Sequence, residues 1–436
     1  MKIITFILCF LLLGSYMPTI RYSYRFSDIP GKFTDHQWIS DLDSMYGFMK
    51  KTHPGLYWKT SQTEFENLII KFKSEIPHLT DNQITTKLSR LAALARDGHT
   101  VLMGSNISDK YFPVRIESLS DGYFITSVSD KYSGIYGLKV VTIGNCRIEE
   151  AFRLIRSVTS SDNSYSELYW TARNLTMSSM LNGLGIIDSP DLLPLEIIDH
   201  KNEKKRVTIK AESYPFIEDD FHSWFWQANA VPATNYINLL TETADNPPLR
   251  LKNYSKPYWF EFIEEKKSIY FCFNSCENSA NDPFAEFNDR LWAVVETKKP
   301  GKLIIDLRNN IGGTNDHLQP LIQGIIRHDE INKKGHLFVL TGRKTFSAAV
   351  HCATWIERNS QPVFAGEPTG AGPNHYGDPS IYTLPNSKLL LLVSTVFWQN
   401  GQPWDKREWI EPEIKIEVDS KQYFSGKDPV LDKVLN

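Results

Sequence analysis

From Ser268 onward the sequence alternates short apolar runs with stretches of helical period, and this rhythm leaves few folds open. Ile269-Tyr270-Phe271-Cys272-Phe273, Leu303-Ile304-Ile305-Asp306-Leu307, Leu337-Phe338-Val339-Leu340 and Val363-Phe364-Ala365 are too short and too uniformly apolar for amphipathic helices. They read as strands buried on both faces. Helical patterns fill the gaps over Phe284 to Thr297, over about 316 to 327, and from near Phe346. Parallel neighbours need a crossover, usually a helix, so the segment predicts an α/β domain with a largely parallel sheet.

The rest of the chain has two other textures. Trp38, Leu42, Met45, Phe48 and Met49 recur at helical spacing until His53-Pro54-Gly55 ends the run. Phe65, Leu68, Ile69 and Phe72 mark a second helix, and Ile84, Leu88, Leu91 and Leu94 a third, with Thr80 and Gln83 placed as a capping box. Between Phe112 and about residue 211, strand-like pieces dominate: Gly122 to Thr126, Leu138 to Ile143 and Lys205 to Ile209, with one short helix over Ile148 to Ile155. That order resembles a small peptide-binding β-domain of the PDZ kind. At the start, Lys2 precedes the apolar run Ile3 to Leu13, which reads as a signal peptide or an N-terminal anchor over residues 1–22.

Composition narrows the function. The 436 residues carry 48 Lys and Arg against 51 Asp and Glu, so no basic field exists to hold a phosphate backbone, and nucleic acid is not an expected partner. No HExxH, Walker loop, dinucleotide GxGxxG or CxxC pair occurs, which leaves metal, nucleotide and redox cofactors without sequence support. Apart from Cys9, the cysteines are Cys146, Cys272, Cys276 and Cys352, too few for a disulfide framework. Whether Cys272 and Cys276 bridge stays open on sequence.

Two strand-to-helix turns carry the chemistry. In Asp306-Leu307-Arg308-Asn309-Asn310-Ile311-Gly312-Gly313, the glycines either make a turn that packing demands or bring main-chain N–H groups against a developing negative charge. In Thr341-Gly342-Arg343-Lys344-Thr345-Phe346-Ser347-Ala348-Ala349, Ser347 opens a helix. A serine there either caps the helix or acts as a nucleophile, with the Ala348 N–H as part of an oxyanion hole. Asp306 and Arg308 read as a buried ion pair that holds the glycine turn.

Together these turns resemble the tail-specific, or C-terminal-processing, serine protease family, whose blocks run Asp-Leu-Arg-x-Asn-x-Gly-Gly and Thr-x-Ser-Ala-Ala. Gly366-Glu367-Pro368-Thr369-Gly370, Ile410-Glu411-Pro412-Glu413-Ile414 and Asp428-Pro429-Val430-Leu431 are similar to later blocks of the family. His53-Pro54 and Asp97-Gly98-His99-Thr100 resemble one bacterial branch. The resemblance implies an α/β fold with a crotonase/ClpP-like core over 216–436, an N-terminal helical domain over 33–104 and a PDZ-like β-rich middle domain over 105–215. It implies an exported serine peptidase acting on peptide or unfolded protein substrates, periplasmic or extracellular, with no membrane contact beyond the possible N-terminal anchor.

The general base departs from the family pattern. Better-known members place a lysine about 25 residues after the serine, but no lysine lies between Lys344 and Lys388. The likeness to the tricorn branch, where a histidine from an earlier segment faces the serine, implies His99 as base; His375 and His351 are rivals. The same likeness implies an acid near the last block, Asp405 or Glu408, with Asp405 preferred. The expected site is therefore Ser347, His99 and Asp405, with an oxyanion hole of Gly312, Gly313 and Ala348. Two other functions stay open: a non-catalytic binding protein, since eye retinoid-binding proteins share the core fold, and a hydrolase of small acyl esters.

Overall fold

The computed structural model describes residues 32–103, 110–213, 236–243 and 245–436; the leader expected over 1–22 lies outside them. Helices α1 (Asp35–Thr52), α2 (Gln62–Glu75) and α3 (Asp81–Ala93) form the first unit, and each starts where a side chain accepts an unpaired main-chain N–H. Thr34 with Gln37 and Thr80 with Gln83 form reciprocal capping boxes, and Ser61 caps α2. Trp38, Leu42, Met45 and Met49 line one stripe of α1 and meet Phe65, Phe72, Leu88 and Leu91.

Those helices do not close their core alone. Leu384, Leu389, Leu391 and Val393, from the far end of the chain, belong to it. They lie in and beside an antiparallel hairpin, Asn374–Thr383 against Leu390–Gln399, whose second strand also pairs with Val101–Met103. Buried Asp41 accepts the main-chain N–H groups of Asn386 and Ser387, each at 2.8 Å, and so ties the hairpin's turn to α1. This hairpin is what carries the segment after α3 against the last unit.

The middle unit is a sheet in the order Tyr236–Asn238, Gly122–Ser129, Lys139–Ile143, Leu192–Ile198, Lys204–Lys210, with Val114–Leu119 also paired to Gly122–Ser129. It carries three helices, Ile148–Arg156, Ser164–Asn174 and Ser178–Gly183, where the sequence pattern marks only the first. Asn163 caps the second helix with its Oδ1, and its Nδ2 donates to the carbonyls of Thr369 (3.0 Å) and Glu408 (2.7 Å). One side chain thus fixes the middle unit to the last one.

In the last unit the sheet runs Tyr258–Ile263, Ser268–Phe273, Lys302–Asp306, Leu337–Thr341, Val363–Gly366, Ile414–Lys415; the first pair is antiparallel and the remainder parallel. Ile269, Phe271 and Phe273 face the core formed with helices Phe284–Lys298, Gln319–Arg327 and Ala348–Asn359. Tyr270 and Cys272 point to the opposite core, shared with Val430, Leu431 and Val434 of the terminal helix Pro429–Leu435. Both faces are covered, as the uniformly apolar runs require, and each fully buried large side chain contributes about 1.5–3 kcal/mol. Cys272 and Cys276 are both free thiols. Among the described residues no helix is long and apolar enough to cross a membrane.

Candidate active site

The two turns singled out in the sequence are stitched into one structure. Thr345 Oγ1 donates to the Leu307 carbonyl at 2.9 Å and accepts the Gly342 N–H at 3.0 Å, while the Phe346 N–H reaches the Asn310 carbonyl at 3.1 Å. Arg308 anchors the glycine turn from below: it grips Asp306 at 2.6 Å and Asp428 at 2.7 Å, a buried three-membered ion pair away from Ser347.

Ser347 stands at the head of helix Ala348–Asn359 with φ 52° and ψ −128°. Few residues other than glycine adopt such a conformation, which costs about 1–3 kcal/mol and persists only where the surroundings impose it. Its side chain makes no capping bond to the helix. Instead its Oγ lies 3.0 Å from Nε2 of His99.

The glycines explain how the serine is approached so closely. Gly312 has φ 111°, and a Cβ there would lie 2.6 Å from the Ser347 Cβ. Gly313 has φ 132°, and a Cβ there would lie 2.4 Å from the Cys276 carbonyl oxygen. The Gly312 N–H, expected as an oxyanion donor, donates instead to Asn310 Oδ1 at 2.9 Å. Gly312 therefore contributes space, and the donors left for an oxyanion are the N–H groups of Gly313 and Ala348. Ala348 is the first helical residue, so its N–H has no partner within the helix.

His99 is buried, and its ring stacks on Phe346 at 4.6 Å between centroids. Burial holds the imidazole below its usual pKa, against the opposing pull of the Asp97 charge. A neutral ring at pH 7 is the form that accepts a serine proton. Its Nδ1 has no hydrogen-bond partner among the described residues and lies 3.8 Å from Asp97 Oδ1.

Asp97 is the acid that the sequence reading missed, although it lies in the quoted Asp-Gly-His-Thr block. Its buried carboxylate accepts from Thr100 Oγ1 (2.6 Å), Ser394 Oγ (2.6 Å), the His99 N–H (2.9 Å) and His53 Nε2 (3.2 Å). Burial alone would raise its pKa, but these donors, His53 first, hold it well below the usual carboxylate range. Because Gly55 donates its N–H to His53 Nδ1 at 3.0 Å, the His53 proton sits on Nε2, facing Asp97. Nearby Asp162 accepts the Gly98 N–H at 3.0 Å, and burial, together with the Asp97 charge, pushes its pKa up to about 8. Asp97, His99 and Asp162 offer atoms within 4.8 Å of one another. Asp97 already accepts from four donors, which leaves little of its carboxylate for a cation.

The structure does not bring the expected acid to the site. Asp405 is claimed by Arg407 at 2.7 Å, which also holds Glu357 at 2.8 Å, and this pairing lowers the Asp405 pKa. Glu408 is half-exposed and reaches Lys59 at 3.7 Å. Of the rival bases, His375 Nδ1 bonds the Gly372 carbonyl at 2.8 Å and His351 Nδ1 bonds Asn315 Nδ2 at 2.9 Å. Burial, then the neighbouring His99, pushes His375 down to about 4, and neither ring is hydrogen-bonded to Ser347. Beside His99, the side chains of Trp170, Ile311, Phe346 and Leu392 form an apolar wall.

A strained serine, a neutral imidazole against its hydroxyl and free main-chain donors beside it form the arrangement that an imidazole-activated nucleophile requires. No protein-family model matches the chain, and no curated protein matches it. Mature CPAF complexed with lactacystin superposes with a TM-score of 0.62 at 12% identity, covering 92% of this chain and 98% of that one. Looser likenesses are the photosystem II D1 C-terminal processing protease (TM-score 0.39, 10% identity, 90% and 98% covered) and the tricorn protease (TM-score 0.39, 14% identity, 92% and 36% covered). The latter two are named as proteases, and at 12% identity what this chain shares with CPAF is the fold.

Proposed function

We propose that the chain is a serine peptidase that cleaves peptide or unfolded protein substrates through an acyl-enzyme on Ser347, with His99 as general base. The 3.0 Å approach of His99 Nε2 to the hydroxyl of a positive-φ serine carries the reading. His99 takes the hydroxyl proton as Oγ attacks the scissile carbonyl, and the Gly313 and Ala348 N–H groups receive the developing oxyanion. Asp97 keeps the ring proton on Nδ1 and favours the imidazolium that forms. The imidazolium then gives its proton to the leaving amine, and water repeats the sequence to release the acid.

In this reading the last unit is a crotonase/ClpP-like core, and the middle sheet is a PDZ-like module that presents extended peptides. Export rests on the apolar run after Lys2 alone. A fluorophosphonate probe followed by a peptide-library digest tests the function. Labelling of the native chain, lost in Ser347→Ala, with peptide cleavage supports it. Absence of labelling refutes an activated serine, and labelling with ester but no peptide turnover makes the chain an esterase.

A further inference from the structure

A cavity of about 260 Å³ lies between the middle sheet, helix Ser164–Asn174 and the carboxyl ends of strands Lys302–Asp306, Leu337–Thr341 and Val363–Gly366. Neither Ser347 nor His99 lines it, although Lys344, from the nucleophile turn, does. Five cationic side chains face it. Arg308 is neutralised by Asp306 and Asp428, Arg343 by Glu367 at 3.1 Å and Arg115 by Glu117 at 2.7 Å, while Arg250 approaches Asp428 at 3.9 Å. Lys344 has no hydrogen bond or ion pair among the described residues; its ammonium lies over the Tyr169 ring at 5.3 Å.

Three more polar atoms of residues at this cavity lack partners, Thr126 Oγ1 among them. Arg115 Nη2 and Ser127 Oγ are buried and unbonded among the described residues, and the Arg115 guanidinium lies 5.6 Å over the same Tyr169 ring. Ser127 is 4% exposed. A buried donor without an acceptor is destabilising, and donors gathered around an ammonium whose nearest anion, Glu117, is already paired with Arg115 are the complement of an anion. The surplus is a single charge, which suits a carboxylate rather than a phosphate dianion. Leu251, Tyr254, Ile416 and Val418 give the wall an apolar part, beside the polar Ser118, Asn238 and Thr241. The volume lies below the ~300–1,000 Å³ of sites for drug-sized ligands, so the occupant is small.

We propose that this cavity binds a small organic monocarboxylate, its carboxylate held by Lys344 Nζ, Arg115 Nη2 and Ser127 Oγ and its apolar body lying against Leu251, Tyr254 and Val418. Burial, then the charge of Arg115, pushes the Lys344 amine down to about 8, as expected of an ammonium awaiting a counter-charge. The site does not rest on the peptidase reading, and its test reads binding rather than turnover.

Calorimetry on the full chain compares hexanoate with hexanamide at pH 7. Hexanoate is expected to bind on the order of tenfold or more tightly than the amide, and Lys344→Met to weaken hexanoate by a similar factor. Ser127→Ala, which keeps every charge, weakens it several-fold and stands in if Lys344→Met does not fold. At pH 9 hexanoate draws a proton onto Lys344, seen as buffer-dependent heat; Lys344→Arg retains binding without that proton uptake. Failure of hexanoate to bind, equal binding of the amide, or undiminished binding by Lys344→Met overturns the proposal. Preference for a carboxyl-terminated peptide over hexanoate overturns its assignment to a small acid.

Discussion

Asp97 holds His99 from two sides: one of its oxygens, Oδ1, accepts the His99 main-chain N–H at 2.9 Å and lies 3.8 Å from the Nδ1 of the same residue. The first contact fixes where the ring is attached; the second, too long for a hydrogen bond, sets a negative charge beside Nδ1 that favours a proton there. Such a carboxylate needs no chemistry of its own, because a neutral imidazole with its proton on Nδ1 already presents a bare Nε2 to Ser347. The 3.8 Å gap is that of a resting site, and catalytic contacts commonly tighten when substrate binds.

Asp97→Asn is expected to lower kcat by on the order of 10²-fold or more, since the amide no longer favours the Nδ1 proton or the imidazolium. Because the Asp97 charge raises the His99 pKa, its removal also moves the acid limb of kcat/KM to lower pH. Asp405→Asn should leave the rate within about threefold, since loss of its Arg407 pair is a surface event. Peptide kinetics across pH, with circular dichroism to check folding, measure both. An inactive Asp405→Asn beside an active Asp97→Asn reverses the assignment.

Ser347→Ala is expected to abolish probe labelling, and His99→Ala to slow it by roughly 10²-fold or more. His375→Ala should cost far less, because its ring bonds Gly372 and makes no hydrogen bond to the serine. Labelling rates for the three variants decide the base; a dead His375→Ala with a fully active His99→Ala would show it misassigned.

What the sequence made legible here is what is local. Strand–helix alternation, the capping boxes at Thr34 and Thr80 and the turn at Ser347 each depend on neighbours a few residues away. Asp97 was in view, but its role was not, because two of its partners come from elsewhere: Ser394 on the late hairpin and His53 after α1. That hairpin escapes pattern reading because Leu389 to Val393, an apolar run like the core strands, stands outside the strand–helix alternation that marks them. Asp405 stands beside a familiar block, yet Arg407, two residues on, holds it at 2.7 Å. The pattern puts Gly312 at the right turn, but nothing in the sequence says that Asn310 takes its N–H.

Gly312→Ala tests the duty that the structure gives it. The added methyl would meet the Ser347 Cβ at 2.6 Å and sit at φ 111°, so the nucleophile has to move. Strain of about 1–3 kcal/mol should appear in thermal unfolding, and the displaced serine should lose at least about 10² in labelling rate. Wild-type labelling by this variant would mean that the turn does not press on Ser347.

Asp162 supplies a prediction about stability and pH. Its folded pKa, about 8, lies above its ordinary value, with burial the first cause and Asp97 the second. For an acid whose pKa is raised by folding, the native state binds its proton more tightly than the unfolded chain does. This contribution is fully present below about pH 4, the unfolded carboxyl range, and is lost as pH rises through about 8. Asp162→Asn fixes the group as neutral, and its amide oxygen can still accept the Gly98 N–H that the carboxyl accepts at 3.0 Å. The variant should therefore melt close to wild type at pH 4 and about 2 °C or more above it at pH 8.5. Melting curves at the two values check the sign, and a stabilisation that is the same at both would show that Asp162 does not titrate in this range.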